Sequence, residues 1–203
     1  MQLNDAIQNR ASIKVFSDEA VPVTVIESCL DAAVWAPNHH LTEPWRFFVI
    51  PDEARELLAQ AVATHVNIAR GLEWAQAKAQ VIKERKHIFS APTIIAIYSD
   101  MGTDQKTEKE NLCATAAAIQ NLLLTAHSLG YGAIWRTSDI YDYPTVRQVL
   151  QVPPSTIPVG AIFIGKSAQR EVPRRRRPHA LFTTWVGASG SGTTDETTGA
   201  GKP

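Results

Sequence analysis

The stretch from Glu108 to Thr137 constrains the fold more than any other, because it joins a long apolar helix directly to a strand. Thr107, followed three residues later by Glu110, predicts a capping box at the start of the helix, and Gly130 predicts its end. Apolar or small residues cover most faces from Leu112 to Leu129, which exceeds the single apolar stripe of a surface helix. We therefore predict a helix that is buried nearly all round and on which the other elements pack.

The strand predicted after this helix, Ala133 to Thr137, carries Arg136 beside Trp135. A charge is unusual immediately after a buried element. One interpretation is an arginine whose head reaches the surface at the strand end, as long basic side chains do. The other is a contact with an anion or a cofactor, and the strand pattern leaves both open.

Three polar donors alternate with apolar residues just after a short helix predicted at Leu3 to Gln8. They are Arg10, Ser12 and Lys14. An extended backbone places alternate side chains on one face, so a guanidinium, a hydroxyl and an ammonium group would converge there. Such a face suits an anion, although a solvated extended arm would show the same pattern.

A loop of eleven residues, Trp35 to Trp45, contains two tryptophans, two prolines and two histidines. Loops of this composition often line functional sites. A zinc site is a poor interpretation of His39 and His40, because adjacent residues rarely ligate one metal and no Cys or HExxH partner is present. We predict no metal site, and donors to a planar ligand fit these histidines better.

Hydrophobic periodicity and turn residues predict the remaining elements. The predicted helices are Val21 to the residue before Pro37, Asp52 to Arg70, Leu72 to Phe89, and Pro144 to Leu150. The predicted strands are Arg46 to Ile50, Thr93 to Tyr98, Ile157 to Ile164, and a short one at Ala180 to Trp185. From residue 187 onward the sequence is mainly Gly, Ser, Thr and Ala, which predicts disorder. We therefore expect one domain over residues 1–186 and a disordered tail over residues 187–203.

Charge and composition exclude several classes of function. Twenty basic and twenty acidic residues cancel, and Arg174 to Arg177 is the one local run of positive charge, so the sequence predicts no nucleic-acid or membrane partner. There is no uninterrupted apolar run of membrane-spanning length and no signal-peptide core at the amino terminus, so we expect a cytoplasmic protein. Cys29 and Cys113 lie in apolar helical patterns, which predicts buried thiols.

Four segments, in this order, resemble the FMN-dependent nitroreductase family, in particular its compact bacterial NAD(P)H nitroreductase members. They are residues 9–16 (NRASIKVF), 36–47, 130–136, and the basic segment that ends at Trp185. The resemblance implies an α+β fold in which helices wrap a central mixed, mostly antiparallel sheet. It also implies an intertwined homodimer, with FMN and the long helix at the subunit interface and a carboxy-terminal strand that reaches the partner.

The resemblance also implies which residues bind the cofactor. Arg10 and Ser12 match positions that hold the FMN phosphate and ribityl chain, with Ala11 between them in place of a more usual Arg or His. Lys14 matches a position near the pyrimidine edge of the flavin. Trp35 and His39 match positions that contact the flavin from the second subunit. Trp135, Arg136 and Thr137 match the strand that contacts the cofactor, and Arg174 and Arg176 match a basic pair that binds the phosphate.

The end of the long helix matches a stretch associated with nicotinamide binding in the compact group, although a buried helix end is an equal alternative. The stretch is Thr125, Ala126, His127, Ser128, Leu129 and Gly130. Glu43 stands where Gln is common in the family, and a carboxylate near the flavin would disfavour anionic substrates.

The function that the resemblance implies is an oxidoreductase that takes hydride from NADH or NADPH and reduces a nitroaromatic, quinone or similar acceptor by a ping-pong mechanism. No side chain serves as the catalytic acid or base, because flavin N5 carries the hydride and Lys14 supports the reduced flavin. Two alternatives stay open. One is a relative with another flavin reaction, such as dehalogenation or ring cleavage, and the other is a flavin-binding or regulatory protein without turnover.

Overall fold

The computed structural model describes residues 1–69, 74–169 and 175–187. The chain divides into two units, Met1–Arg170 and Glu171–Pro203. The first unit contains a sheet with helices on both faces. In the second unit, residues 175–187 are exposed and include a 3-10 turn at His179–Phe182.

Helices and strands of the first unit follow the predicted order, with boundaries that shift by a few residues. The helices are α1 (Leu3–Asn9), α2 (Val23–Ala33), α3 (Arg55–Ala69), α4 (Trp74–Ile88), α5 (Gln105–Ser128) and α6 (Pro144–Val149). The strands are β1 (Trp45–Ile50), β2 (Thr93–Asp100), β3 (Gly132–Arg136) and β4 (Thr156–Gly165). The predicted boundary between α3 and α4 lies outside the described residues.

The four strands form one sheet in the order β1-β2-β4-β3, and all neighbouring strands pair antiparallel. Ser12 adds one parallel bridge to Ala133 at the β3 edge. With helices on both faces of this sheet, the predicted α+β fold is confirmed.

Alternation along the strands divides the core between the two faces of the sheet. Ile94 of β2 faces one core, which it shares with residues of α3, α4 and α6. Ile95, the next residue, faces the other core, which contains residues of α2 and α5. Both side chains are completely buried. The sheet therefore separates α5 from the α3–α4 pair.

Helix α5 starts earlier than the sequence predicted. The carboxylate of Asp104 accepts a hydrogen bond of 2.9 Å from the backbone N–H of Thr107, so Asp104 is the N-cap and the capping box predicted at Thr107 is wrong. Asp104 stands in a polar loop where several residues could serve as a cap, and local sequence does not choose among them. The predicted end is confirmed, because the chain leaves the helix at Gly130 with φ of 78°.

The prediction that α5 is buried nearly all round is wrong for one side of the helix. Ala118, Ile119 and Leu122 are completely buried, whereas Cys113 and Gln120 are exposed in the single chain. Cys113 is therefore an exposed thiol, and the prediction that both cysteines are buried holds only for Cys29. Burial raises the pKa of the Cys29 thiol to about 11, which keeps it protonated.

The strand predicted at Ala180 to Trp185 is also wrong. The structure has the 3-10 turn there, and no residue of that segment joins the sheet in the described part of the chain. Most of the tail predicted to be disordered, residues 188–203, lies outside the described residues. None of the helices that the structure describes is long and apolar enough to cross a membrane.

Candidate functional site

The row of predicted donors lies along the open edge of the sheet. Ser12 pairs with Ala133 of β3, and the backbone N–H of Ile13 donates to the Ala133 carbonyl at 3.1 Å. Ile13 packs so closely on Gly132 that a Cβ atom there would lie 2.6 Å from Ile13 Cγ1. A residue with a side chain at position 132 would push this segment away from the strand, so the glycine fixes the place of the donor row.

The donors differ in how far they reach into solvent. Arg10 and Ser12 are half-buried and Lys14 is exposed. The backbone N–H of Lys14 donates to Oε1 of Gln169 at 2.8 Å, which ties the end of the segment to the chain beyond β4. A guanidinium, a hydroxyl and an ammonium group on a segment bonded to the sheet edge can bind a phosphate and an adjacent polar ring edge.

Trp135 and Arg136 occupy opposite faces of β3. Trp135 shares the face of Ala133, is 38% exposed, and donates from Nε1 to the carbonyl of Val159 at 3.1 Å. Arg136 lies on the other face, where its guanidinium stacks 4.5 Å from the ring centre of Phe163. The three residues predicted to contact a cofactor, 135–137, therefore do not present their side chains to one surface.

The Arg136 guanidinium is held inside the first unit. Its Nη1 donates to Ser90 Oγ at 2.9 Å and lies 3.3 Å from Nδ1 of His87. Burial, together with the positive charges of Arg136 and Lys83, lowers the pKa of His87 to about 4, so the imidazole is neutral at pH 7. Sequence reasoning missed His87 and Ser90, which lie more than forty residues away along the chain. The Arg136 charge is therefore anchored by α4 and the turn after it. The assignment of Arg136 to the cofactor site stays a prediction.

Thr137 lines a cavity of about 470 Å³ at the end of β3. Polar side chains and prolines from the β3–α6 connection and from β4 line it, together with the stacked rings of His65 and Tyr143, whose centres are 3.9 Å apart. This volume is within the range of small-molecule sites. No sequence pattern pointed to His65, because it lies in a helix without a motif.

The histidine loop, residues 36–44, presents unusual exposed side chains. Trp35, immediately before it, is 85% exposed, Leu41 is 82% exposed, and His39 is exposed as well. Exposed apolar side chains that form a contiguous patch mark surfaces that a ligand or partner covers. The site predicted around Trp35 and His39 is therefore accessible from outside the chain.

The backbone of the histidine loop is strained. His40, Leu41 and Glu43 have φ values of 53°, 54° and 43°. Left-handed backbone costs roughly 1 kcal/mol for each residue that carries a Cβ atom. Such a conformation persists only where surrounding contacts hold it.

Two amide side chains hold this loop and a third holds the end of α2 that leads into it, and sequence reasoning missed all of them. Oδ1 of Asn38 accepts from the Glu43 backbone N–H at 3.0 Å. Oδ1 of Asn111, in α5, accepts from Thr42 Oγ1 at 3.0 Å. Nδ2 of Asn121, also in α5, donates to the carbonyl of residue 32 at 3.2 Å. A polar amide at an inward position of an apolar helix was the available signal.

The donor row and the histidine loop lie at opposite ends of α5. The loop is bonded to Asn111, near the start of the helix, whereas the donor row is bonded to Ala133, which follows the helix end at Ala126–Tyr131. At 1.5 Å per residue, Asn111 and Ala126 are about 22 Å apart along the helix axis. One chain thus presents the two groups of predicted contacts separately.

The stretch predicted to bind nicotinamide forms the last turn of α5. Ala126 is completely buried, and the Ser128 hydroxyl donates to the carbonyl of Thr125 at 2.8 Å. Leu129 and Gly130 are exposed. Both alternatives stated for this stretch stay open, because part of it is core and part is surface.

Arg174 lies outside the described residues. Arg176 is described within the second unit, where it is exposed. Their assignment to a phosphate site stays a prediction. Among the described residues, no group of three or more His, Cys, Asp or Glu side chains is arranged to hold a metal ion.

Comparison with known proteins matches this chain to nitroreductases, both by family profile and by individual relatives. The profile of the nitroreductase family matches residues 7–166. YfhC of Bacillus subtilis, which carries a provisional name as an NAD(P)H nitroreductase, is 30% identical over 141 residues, or 69% of this chain and 72% of that protein.

Two crystal structures share the fold. A nitroreductase-like family protein from Bacillus cereus is 26% identical with a TM-score of 0.79, over 93% of this chain and 97% of that one. A protein from Desulfovibrio desulfuricans, described provisionally as a nitroreductase and solved in complex with FMN, is 29% identical with a TM-score of 0.67, over 90% and 95% of the two chains.

Proposed function

Because the chain belongs to the nitroreductase family, we propose that it binds FMN and reduces a nitroaromatic, quinone or similar acceptor with hydride from NADH or NADPH. The observation that carries this proposal is the row formed by Arg10, Ser12 and Lys14, fixed to the edge of β3. Support also comes from the FMN complex of the Desulfovibrio desulfuricans relative. The cytoplasmic location expected from the sequence is part of the same proposal.

Arg10 and Ser12 would bind the phosphate and ribityl chain. Both are half-buried, so their bonds to a phosphate would be less exposed to competing water than those of a surface pair. Lys14, farther along the same edge, would lie at the pyrimidine edge of the ring. Trp135 would supply an apolar indole surface next to the ring, since its Nε1 bond to Val159 fixes its orientation.

When bound, FMN would supply the redox chemistry that links the nicotinamide donor to the acceptor in a ping-pong sequence. The chain's own task is to orient two planar molecules against each other and to exclude water. The Lys14 ammonium would stabilise negative charge at the ring edge. None of these roles requires a side chain to gain or lose a proton.

A homodimer would complete the site. The donor row and the histidine loop lie at opposite ends of α5 in one chain, so Trp35 and His39 of the partner subunit could reach the flavin that Arg10 binds. The exposed side of α5 and the exposed Trp35 and Leu41 are surfaces that such a dimer would cover. Obligate homodimer interfaces commonly bury more than about 2,000 Å².

The test of the activity uses protein that is purified, loaded with FMN and freed from excess flavin. We expect a yellow protein that releases FMN rather than FAD on denaturation. We also expect it to oxidise NADH or NADPH steadily when a nitroaromatic or quinone is supplied. Protein that binds FMN without turnover across a panel of acceptors would indicate a flavin-binding or regulatory role, and protein that binds no FMN would contradict the proposal.

The test of the dimer is sedimentation equilibrium of the FMN-loaded protein at low micromolar concentration. We expect a single species of twice the chain mass. A folded, flavin-bound monomer would contradict both the dimer and the assignment of Trp35 and His39 to a shared site.

A further inference from the structure

A buried amide in α5 connects the histidine loop to the centre of the fold. Asn111 is 4% exposed. Its Oδ1 accepts from Thr42 Oγ1 at 3.0 Å, and its Nδ2 donates to the Asp100 carbonyl at 3.2 Å. We propose that Asn111 is a positioning residue, which holds the loop in the conformation that presents His39 to the cofactor. This inference rests on the proposed function, in which His39 contacts the FMN bound by the partner subunit.

The environment of Asn111 shows that the amide is not needed by the helix itself. Its neighbours on the inward face of α5 include Ala114 and Ala118, which are buried. A leucine of similar size would bury apolar surface there, whereas an amide must find partners or lose the hydrogen bonds it made to water. Asn111 finds both partners outside its helix, at the loop and at the end of β2.

Asp100, the second partner of Asn111, is itself bonded to the same loop. Its backbone N–H donates to the Pro44 carbonyl at 2.8 Å, and its carboxylate binds the guanidinium of Arg46. Asn111 therefore bonds one residue inside the loop, Thr42, and one residue that fixes the point where the loop enters β1. The two bonds together set the distance between the loop and the sheet.

The strain of the loop explains why it needs the two hydrogen bonds of the Asn111 amide, which we call the clamp. His40 and Leu41, next to His39, are left-handed, and so is Glu43. A loop with this backbone relaxes to lower-energy conformations when its external bonds are removed. The conformation that presents His39 would then be populated for only a fraction of the time, and the apparent affinity of the cofactor would fall by that fraction.

The experiment compares four single variants, Thr42→Val, Asn111→Leu, Thr115→Val and His39→Ala, and the double variant that combines Thr42→Val with His39→Ala. Thr42→Val removes the clamp from the exposed side, where no cavity is created. Thr115→Val is the matched control, because it removes a completely buried hydroxyl that bonds the backbone carbonyl of Asn111 and makes no bond to the Asn111 amide or to the loop. The measurements are the dissociation constant of FMN, the visible circular dichroism of the bound flavin and the thermal midpoint.

We expect Thr42→Val and Asn111→Leu to weaken FMN binding roughly three- to tenfold, as the loss of one neutral hydrogen bond implies. Their flavin dichroism should move toward that of His39→Ala. Thr115→Val should lower the thermal midpoint and leave both flavin measurements at wild-type values. Because the clamp acts through His39, adding Thr42→Val to His39→Ala should have no further effect on FMN affinity.

Two results would contradict the inference. One is FMN affinity and dichroism unchanged in Thr42→Val, a variant in which the altered side chain is itself exposed. The other is an effect of Thr42→Val that persists undiminished in the His39→Ala background, since the clamp would then act on something other than His39. A wild-type chain that binds no FMN would instead contradict the proposed function, and this inference with it.

Discussion

Nη1 of Arg136 lies 3.3 Å from Nδ1 of His87, so the imidazole must present an unprotonated nitrogen to a guanidinium. The proton of the neutral ring is then on Nε2, a buried atom for which the described residues offer no hydrogen-bond partner. A second proton would place two positive charges side by side. Burial of the ring, together with this neighbouring positive charge, lowers the pKa of His87 to about 4.

The low pKa of His87 predicts a loss of stability in mild acid. Between pH of about 6.5 and pH of about 4, the unfolded chain binds a proton at His87 that the folded chain does not, so stability falls as the pH falls through this range. Solvent screening of a half-buried ring reduces the effect, and we expect on the order of 1 kcal/mol. The measurement is urea unfolding at pH 7 and pH 4.5.

The matched variants for this prediction are His87→Asn and His179→Asn. An asparagine at position 87 keeps an acceptor near Arg136 but does not titrate, so its loss of stability in acid should be smaller than that of the wild type. His179→Asn, which replaces an exposed histidine, is the control variant. Equal pH dependence in all three proteins would contradict the assignment to His87.

The ends of α5 and α6 share one hydrogen-bond pattern. We expect substitutions in opposite directions at these two ends to change the stability of the protein in opposite directions. After α5, Gly130 has φ of 78°, and after α6, Gln151 has φ of 54°. Each left-handed residue is followed by one whose N–H bonds back to the helix, Tyr131 to Ala126 and Val152 to Arg147, both at 2.9 Å.

Gly130→Ala should destabilise the protein by about 1 kcal/mol, because a Cβ atom there meets nothing within 4 Å and only the backbone conformation is penalised. Gln151→Gly should stabilise it, by up to about 1 kcal/mol, because the strain of a side chain is removed. Denaturant unfolding of both variants measures the pair. Effects of the same sign would show that the backbone conformations are not what distinguishes the two sites.

Local sequence predicted the elements well because their signals are local. The apolar run of α5 and its stop at Gly130 are properties of neighbouring residues. The strand predicted at Ala180 to Trp185 failed because β-propensity describes a half-buried, paired surface, and no strand pairs with that segment in the described structure. The prediction that Cys113 is buried failed because small residues on every side of a helix do not reveal which side packs against the core.

The candidate site was predictable only in part, for the same reason. Alternation placed Arg10, Ser12 and Lys14 in one row, and the edge of β3 holds that row. The partners of Arg136 and the clamp on Thr42 are separated from them by more than forty residues in sequence. Contacts of that kind arise from the packing of the sheet against α4 and α5, which no short-range pattern encodes.

Arg10→Ala should weaken FMN binding by about one to two orders of magnitude. A charge-assisted bond to phosphate contributes roughly 1.5–3 kcal/mol, and about 1.4 kcal/mol corresponds to a tenfold change. Fluorescence titration of the apoprotein with FMN measures the effect. Lys106→Ala, which removes a surface charge at the start of α5, is the control and should bind FMN as the wild type does. An unchanged dissociation constant for Arg10→Ala would remove this residue from the site.

Two truncations separate the basic segment from the tail. Deletion of residues 187–203 should leave flavin content and stability unchanged, because that sequence has too few apolar residues to form a core. Deletion of residues 173–203 also removes Arg174 to Arg177 and should reduce FMN retention during gel filtration. Equal retention by the two proteins would show that the basic segment is only a solvated run of charge.

Lys14→Met should slow flavin reduction more than it weakens FMN binding. The exposed ammonium group lies on the edge segment that continues from Arg10, at the end tied to Gln169. A cation there stabilises the negative charge of the reduced ring more than it stabilises the neutral oxidised ring, and only such differential stabilisation raises the rate. By comparison with the loss of one preorganised donor, the rate should fall by up to about a hundredfold, which corresponds to about 2.7 kcal/mol.

The measurement for Lys14 is anaerobic stopped-flow reduction by saturating NADH or NADPH, together with the flavin midpoint potential and the dissociation constant of FMN. We expect the reduction rate and the midpoint potential to fall in Lys14→Met, and Lys14→Arg, which keeps the charge, to recover most of both. A lower FMN affinity with an unchanged rate and potential would show that Lys14 only binds the cofactor. The contrast with Arg10→Ala, which should act mainly on affinity, then separates the two cationic ends of the row by what each does to the bound flavin.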